Sequence, residues 1–269
     1  MEYFKNLIFG LLIGIANAIP GVSGGTMAVI LNIYDKIMYS LSLKNIKNHL
    51  KFLIPLAVGA IVGIYGLSNV IVKAMENYPV ILKFCFIGLV LGSIPALYKR
   101  AKGETFHKKN WIFFILALAF MIFLFFVNSE AAANKSIEEF GGLSFWLCGW
   151  LFFTAAVGMI AMILPGVSGS LVLLLFGTYA AVMEAIATFN IALIAVIGLG
   201  LIAGGITGVK VIKQMLKFHP QALYFGILGL MVGSIFVLRP GFTFDIVGLI
   251  AITGLIVFTL MAYLLSSRK

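Results

Sequence analysis

Ile19-Pro20-Gly21-Val22-Ser23-Gly24-Gly25-Thr26 and Leu164-Pro165-Gly166-Val167-Ser168-Gly169-Ser170 are two copies of one element, each set inside a long apolar stretch. Proline there removes a backbone donor and breaks a helix, and the glycines and small hydroxyls expose backbone amides. In a bilayer such a break survives only where protein covers it or where it lines a polar cavity. The rest of the chain makes the bilayer its solvent. Of 269 residues, 62% are hydrophobic and 10% charged, and the mean hydropathy is +1.13. That is the composition of an all-α polytopic membrane protein, with no polar sequence left for a second, soluble domain. Residues 1–269 therefore read as one membrane domain.

The two copies belong to a longer repeat. Ser23 and Ser168 are 145 positions apart, and the same shift places Tyr34 on Tyr179, Met38 on Met183, Asn45-Ile46 on Asn190-Ile191, and Gly59 and Gly63 on Gly204 and Gly208. After a short gap, Pro79 meets Pro220, and Gly88-Leu89-Val90-Leu91-Gly92-Ser93-Ile94 meets Gly229-Leu230-Met231-Val232-Gly233-Ser234-Ile235. So many ordered matches over about ninety positions mark a duplication. Repeat one covers residues 1–128 and repeat two residues 140–269.

Each half opens with two apolar pieces around its motif, Asn6 to Ile19 with Gly24 to Leu41, and Phe145 to Leu164 with Gly169 to Ile186. Three longer spans follow in each: Phe52 to Val72, Val80 to Tyr98 and Trp111 to Val127, then Ile191 to Val209, Ala222 to Leu238 and Ile246 to Leu265. A full crossing needs about 20 apolar residues. The first piece is too short, so each motif pair reads as a re-entrant helical hairpin turning near mid-membrane. The second pair is longer, and its length also fits a full crossing.

Loop charges orient the chain. Lys5, Lys44, Lys47, Lys51, Lys99, Arg100, Lys102, Lys108, Lys109, Lys210, Lys213, Lys217, Arg268 and Lys269 fall on one side. The other side mixes Lys73, Lys135 and Arg239 with Glu76, Glu130, Glu138, Glu139 and Asp245. The positive-inside rule places both termini in the cytoplasm. It also explains the net charge of +10 by orientation and anionic headgroups, without nucleic acid. Three crossings separate the hairpins, so the halves are predicted to be inverted-topology repeats whose tips approach from opposite faces. Paired breaks in inverted halves are the expected signature of a midplane transport site.

The residues after each proline turn, Ser23, Gly24, Gly25 and Thr26, and Ser168, Gly169 and Ser170, are predicted to begin a helix. Free amides, hydroxyls and a positive helix end there suit a phosphate, sulfate or carboxylate. Pro20, Gly21, Pro165 and Gly166 form the hairpin turns. The alternative is that these small residues only allow close helix packing. Asp35 and Glu184 lie beyond the motifs, near the return ends of the hairpins. They are candidates for ion coupling or for a simple interfacial position. Asn17 reads equally as a packing hydrogen bond or a ligand contact, and Lys83 and Arg239 are cations that could draw an anionic headgroup in.

Other chemistry is poorly supplied. Cys85 and Cys148 read as packed thiols, and His49, His107 and His219 do not group, so neither metal nor cofactor is expected. Ser23 and Ser168 lack a base at sensible spacing, and three arginines do not make a phosphate-reacting site, so an enzyme is not expected. The phenylalanines from Phe113 to Phe126 read as lipid-facing bulk. Lys5, the apolar run and Ala16-Asn17-Ala18 imitate a signal peptide. Their counterpart ending at Pro165 marks the segment as structural and retained.

The stretch Gly14 to Thr26, followed by Ile33-Tyr34-Asp35, resembles the bacterial polyprenyl-phosphate transporter family (PopT), formerly a domain of unknown function. The second motif and the span from Gly88 to Pro95 resemble it too. The resemblance implies a cytoplasmic (inner) membrane protein that carries undecaprenyl phosphate, or a related anionic polyprenyl lipid, from the outer to the inner leaflet for recycling in cell-wall synthesis. On this reading the two tips replace the headgroup's hydration shell while the tail stays among membrane lipids. A homodimer is compatible with it. The alternative is a secondary transporter of a small soluble anion, for which the same tips would serve a closed cavity.

Overall fold

The computed structural model describes residues 2–17, 23–42, 44–103, 107–128, 135–238, 241–242 and 244–267. Pro20, Gly21 and Arg239 lie outside these. The described residues form twelve α-helices and no strand. In the first half they are α1 (Glu2–Asn17), α2 (Gly24–Ile30), α3 (Tyr34–Ser40), α4 (Leu50–Asn77), α5 (Pro79–Lys102) and α6 (Trp111–Asn128). The second half repeats the series as α7 (Phe145–Ile163), α8 (Gly169–Leu175), α9 (Tyr179–Ala187), α10 (Ile191–Phe218), α11 (Pro220–Leu238) and α12 (Ile246–Ser267). Seven helices are long and apolar enough to cross a bilayer: α4, α5, α6, α7, α10, α11 and α12. The spans expected from sequence are all present, extended by a turn or more at several ends.

The return limbs differ from expectation. Gly24 to Leu41 and Gly169 to Ile186 are each two short helices rather than one, and α8 and α9 meet at 111°. The breaks fall at equivalent repeat positions, Asn32 with φ +61° and Gly177 with φ +67°. Each carries the same pair of terminal bonds. The Asn32 and Ile33 amides donate to the carbonyls of Val29 and Ala28, and the Gly177 and Thr178 amides to those of Leu174 and Leu173. This is a Schellman closure, in which a left-handed residue turns the chain off the helix and satisfies its last carbonyls.

Helix pairing follows small residues. Lipid tails offer no hydrophobic force between helices, so close backbone approach and dispersion hold the bundle together. α1 packs on α4, α7 on α10, α5 on α12 and α6 on α11. Gly10 lies against the Leu56 carbonyl and Gly14 against that of Ala60, four residues further on both helices, so α1 and α4 run parallel. Gly200 and Gly204 against Phe152 and Ala156 make α7 and α10 parallel as well. Gly88 and Gly92 against Leu255 and Thr259 do the same for α5 and α12, and Gly229 and Gly233 against Phe114 and Met121 for α11 and α6. The first two pairs require that each return limb bring the chain back to the face from which its hairpin started.

α11 is apolar all round, as a central helix should be, and 67% of its apolar window is buried. Phe225, Met231 and Ile227 on it, with Tyr34, Ile30 and Leu97, have almost no exposed surface. α6 and α12 lie outside, where Phe120, Phe123 and Phe126 face outward. Phe114 instead turns in against Trp111.

Candidate functional site

The two motifs meet. On the first tip, Ser23 caps α2 by accepting from the Thr26 amide at 3.1 Å, and its Oγ lies 3.0 Å from Thr26 Oγ1. The Gly24 amide donates to Asn17 Oδ1 at 2.8 Å, which ties the return limb to α1. The same two hydroxyls then reach across. Gly166 of the second tip donates its amide to Thr26 Oγ1 at 2.8 Å and to Ser23 Oγ at 3.3 Å. Gly25 lies so close to Pro165 and the Ile163 carbonyl that a Cβ there would meet them at 3.0–3.3 Å. Ser23 and Thr26 are each 2% exposed. In this conformation their polar groups face the other tip rather than open space.

The second tip is built differently. α7 ends at Ile163, and Pro165 forbids its continuation. Gly166 takes φ +92°, and an added Cβ would lie 2.7 Å from the Leu230 backbone of α11, so both conformation and room demand glycine. Val167 then buries and Ser168 precedes α8. Ser168 does not cap that helix; its Oγ lies 2.8 Å from Ser170 Oγ. The first-turn amides of a helix have no intrahelical partner, and here no side chain takes their place. α8 has seven residues, so its dipole is short, and what the tip can offer a ligand is hydroxyls and amides.

Those hydroxyls line a cavity of about 250 Å³. Gly166, Ser168, Ser170 and Ser234 form its polar side, Lys83 supplies a cation, and Met75, Leu171, Leu174 and Leu238 are among the apolar residues. Lys83 sits in the first turns of α5 and Leu238 at the end of α11, so the cavity opens toward the face away from most of the lysines. Ser234 donates to the Met231 carbonyl at 2.7 Å, as its repeat counterpart Ser93 does to Val90. The cavity thus sets the paired Ser168 and Ser170 hydroxyls beside an ammonium within apolar walls, with the Ser234 oxygen adjoining them as an acceptor.

The remaining candidates separate from this cavity. Asp35, in the first turn of α3, accepts from Arg100 Nη1 at 3.1 Å and from the Tyr224 hydroxyl at 2.6 Å. Its other oxygen, Oδ1, is buried without a hydrogen-bond partner. A second cavity of about 420 Å³, lined by Lys99, Arg100, Tyr263 and Ser266 among others, lies at that end of the bundle. Glu184 accepts from the Ile137 amide at 2.8 Å and holds the connection before α7 against α9. Asn17 caps the first tip, as described. Sequence reasoning did not join Arg100 and Tyr224 to Asp35, because the contacts cross from α3 to α5 and α11. The one available signal was an arginine among only three in the chain.

A family profile described as undecaprenyl phosphate translocase-like matches residues 13–247, a range that includes both tips, Lys83, Asp35 and the central helix α11. A polyprenyl-phosphate transporter of Staphylococcus aureus is 32% identical over 259 residues, covering 92% of this chain and 90% of its own length. A polyprenyl-phosphate transporter of Vibrio cholerae is 27% identical over 251 residues, covering 87% of this chain and 77% of its own. No solved structure matches. The profile match over most of the chain and the 32% identity with the Staphylococcus aureus transporter make one assignment: this multi-pass membrane protein belongs to the undecaprenyl phosphate translocase-like family.

Proposed function

We propose that this protein carries a polyprenyl phosphate from the outer to the inner leaflet of the bacterial cytoplasmic membrane, returning the lipid for reuse in cell-wall assembly. The observation that carries the reading is the cavity joining Lys83 to the hydroxyls of Ser168 and Ser170 at the second tip. A phosphate monoester bears between one and two negative charges at neutral pH. Bare hydrocarbon excludes it, and a cavity with an ammonium, the Ser168 and Ser170 hydroxyls and the unpaired first-turn amides of α8 replaces part of its hydration. The apolar walls formed by Met75, Leu171, Leu174 and Leu238 suit the first isoprene units. With the basic loops in the cytoplasm, the cavity opens to the outer leaflet, where the used carrier has to be collected.

The first tip acts as a polar strut, and headgroup contact begins at the second. Parallel packing of α5 with α12 and of α6 with α11 supports inverted halves, since three crossings between the hairpins require those directions. Rocking of one half against the other would part Gly166 from Thr26 and free the first tip's hydroxyls for the headgroup. No catalytic step enters this cycle.

Binding in nanodiscs tests the reading. A short polyprenyl phosphate should bind the wild-type protein at least tenfold more tightly than the matching polyprenol, because a charge-assisted hydrogen bond contributes about 1.5–3 kcal/mol. Lys83→Gln combined with Ser168→Ala and Ser170→Ala should erase that preference. Equal binding of the alcohol, or full displacement of the lipid by inorganic phosphate alone, would contradict the reading; the latter result favours a small soluble anion.

A further inference from the structure

A hollow more than three times the volume of the Lys83 cavity lies elsewhere in the described part of the molecule. It is a groove of about 830 Å³ on the basic face, between the chain after α3 and the second half of α10. Its floor is apolar, formed by Met159, Ile163, Ile202, Ile206 and Val209. Its rim carries four lysines, Lys44, Lys210, Lys213 and Lys217. The last three are spaced by three and four residues, which puts them on one side of α10.

These ammonium groups have no anionic partner. Among the described residues the one ion pair is Arg100 with Asp35. Lys213 donates to Ser42 Oγ at 2.9 Å and lies 5.1 Å from the Tyr39 ring centroid. That orients it without neutralising it. Four like charges around an apolar trough are mutually unfavourable until an anion joins them, and a soluble anion would make no use of the trough. From Leu201 to Phe218, the ends of its α10 wall, the groove runs about 25 Å at the helical rise. That exceeds half of a hydrocarbon core about 30 Å thick. The shape and charge suit a long hydrocarbon chain ending in a multiply charged head at the membrane surface.

The groove also reaches the transport tip from behind. Met159 and Ile163 belong to the last turns of α7, just before Pro165, while Gly166, Ser168 and Ser170 line the Lys83 cavity on the other side. We infer that this groove is the inner-leaflet exit site, in which one polyprenyl phosphate lies with its tail along α10 and its phosphate among Lys44, Lys210, Lys213 and Lys217. The inference rests on the proposed substrate. A monoester headgroup, with up to two charges, matches several lysines better than the single charge of a phosphodiester lipid. The basic rim favours release on this side and resists return of the headgroup to the midplane.

Photo-crosslinking tests it, with a polyprenyl phosphate carrying a diazirine in its tail and the full-length protein in nanodiscs. Expected are adducts on the α7 and α10 segments around Met159, Ile206 and Val209. Lys210→Gln with Lys217→Gln should reduce these about thirtyfold, since each lysine near a membrane surface contributes about a factor of five to anion binding. Lys210→Arg with Lys217→Arg should retain them. Excess phosphatidylglycerol should compete weakly. Adducts confined to the Lys83 cavity would overturn the exit site and leave the transport reading standing. Equal competition by phosphatidylglycerol would make the groove a general phospholipid site and also overturn it. Absence of adducts from both places would remove the substrate reading together with the inference.

Discussion

The repeated motif assigns different work to equivalent residues. Ser23 and Ser168 share a repeat position, yet Ser23 caps its helix and accepts from Gly166, while Ser168 bonds Ser170 and lines a cavity. The cause is local. Thr26 gives the first tip a buried hydroxyl that holds Ser23, and the second tip has Leu171 at that position. A consequence is that the two tips separate in mutagenesis. Thr26→Val should lower the melting temperature in detergent, because a buried amide at Gly166 left unsatisfied costs about 1–3 kcal/mol. Thr26→Ser should largely preserve it. Ser168→Ala with Ser170→Ala should leave melting unchanged and impair transport. Equal destabilisation by both sets would refute the division. Sequence alone exposed the motif and its proline turns. It could not show which copy turned inward, because that depends on where α11 presses on Gly166.

At the scale of elements, long spans were legible and the return limbs were not. Apolar runs bounded by lysines or prolines located α5, α6, α11 and α12 to within about a turn, while α4 and α10 continue past their apolar runs to Asn77 and Phe218. From Met27 to Leu31 and from Leu171 to Phe176, directly before the breaks, every residue is apolar, so hydrophobic periodicity gives no sign of where the helix stops. The signal lay in the repeat itself. Asn32 and Gly177 occupy equivalent positions, and these two residue types tolerate left-handed backbone better than the others. Gly177→Ala should therefore cost about 1–2 kcal/mol of stability, and Asn32→Gly should cost much less, since glycine adopts the same left-handed backbone freely. Thermal unfolding of the purified variants measures both. An unchanged melting temperature for Gly177→Ala would argue against the bend between α8 and α9. The breaks matter to function. They place Asp35 at a new helix start, where it meets Arg100 and Tyr224, and they end α8 after seven residues.

At the scale of the whole molecule, two hollows flank one tip. The Lys83 cavity opens on one face, the lysine-rimmed groove on the other, and the polar contact between Gly166 and Thr26 stands between them. Duplication and loop charge predicted a shared midplane site between opposed hairpins. They could not predict the groove, since Lys44 and Lys210 to Lys217 read as orientation signals until folding set them around an apolar floor. The central claim is directional transport of a lipid phosphate past that tip, and leaflet-resolved translocation in proteoliposomes tests it most directly. Polyprenyl phosphate placed in the leaflet facing the Lys83 cavity should appear in the other leaflet with wild-type protein. Lys83→Gln with Ser168→Ala and Ser170→Ala should slow this at least tenfold, as loss of one charge-assisted hydrogen bond would. Undiminished translocation by that variant, folded and inserted like the wild type, would contradict the account.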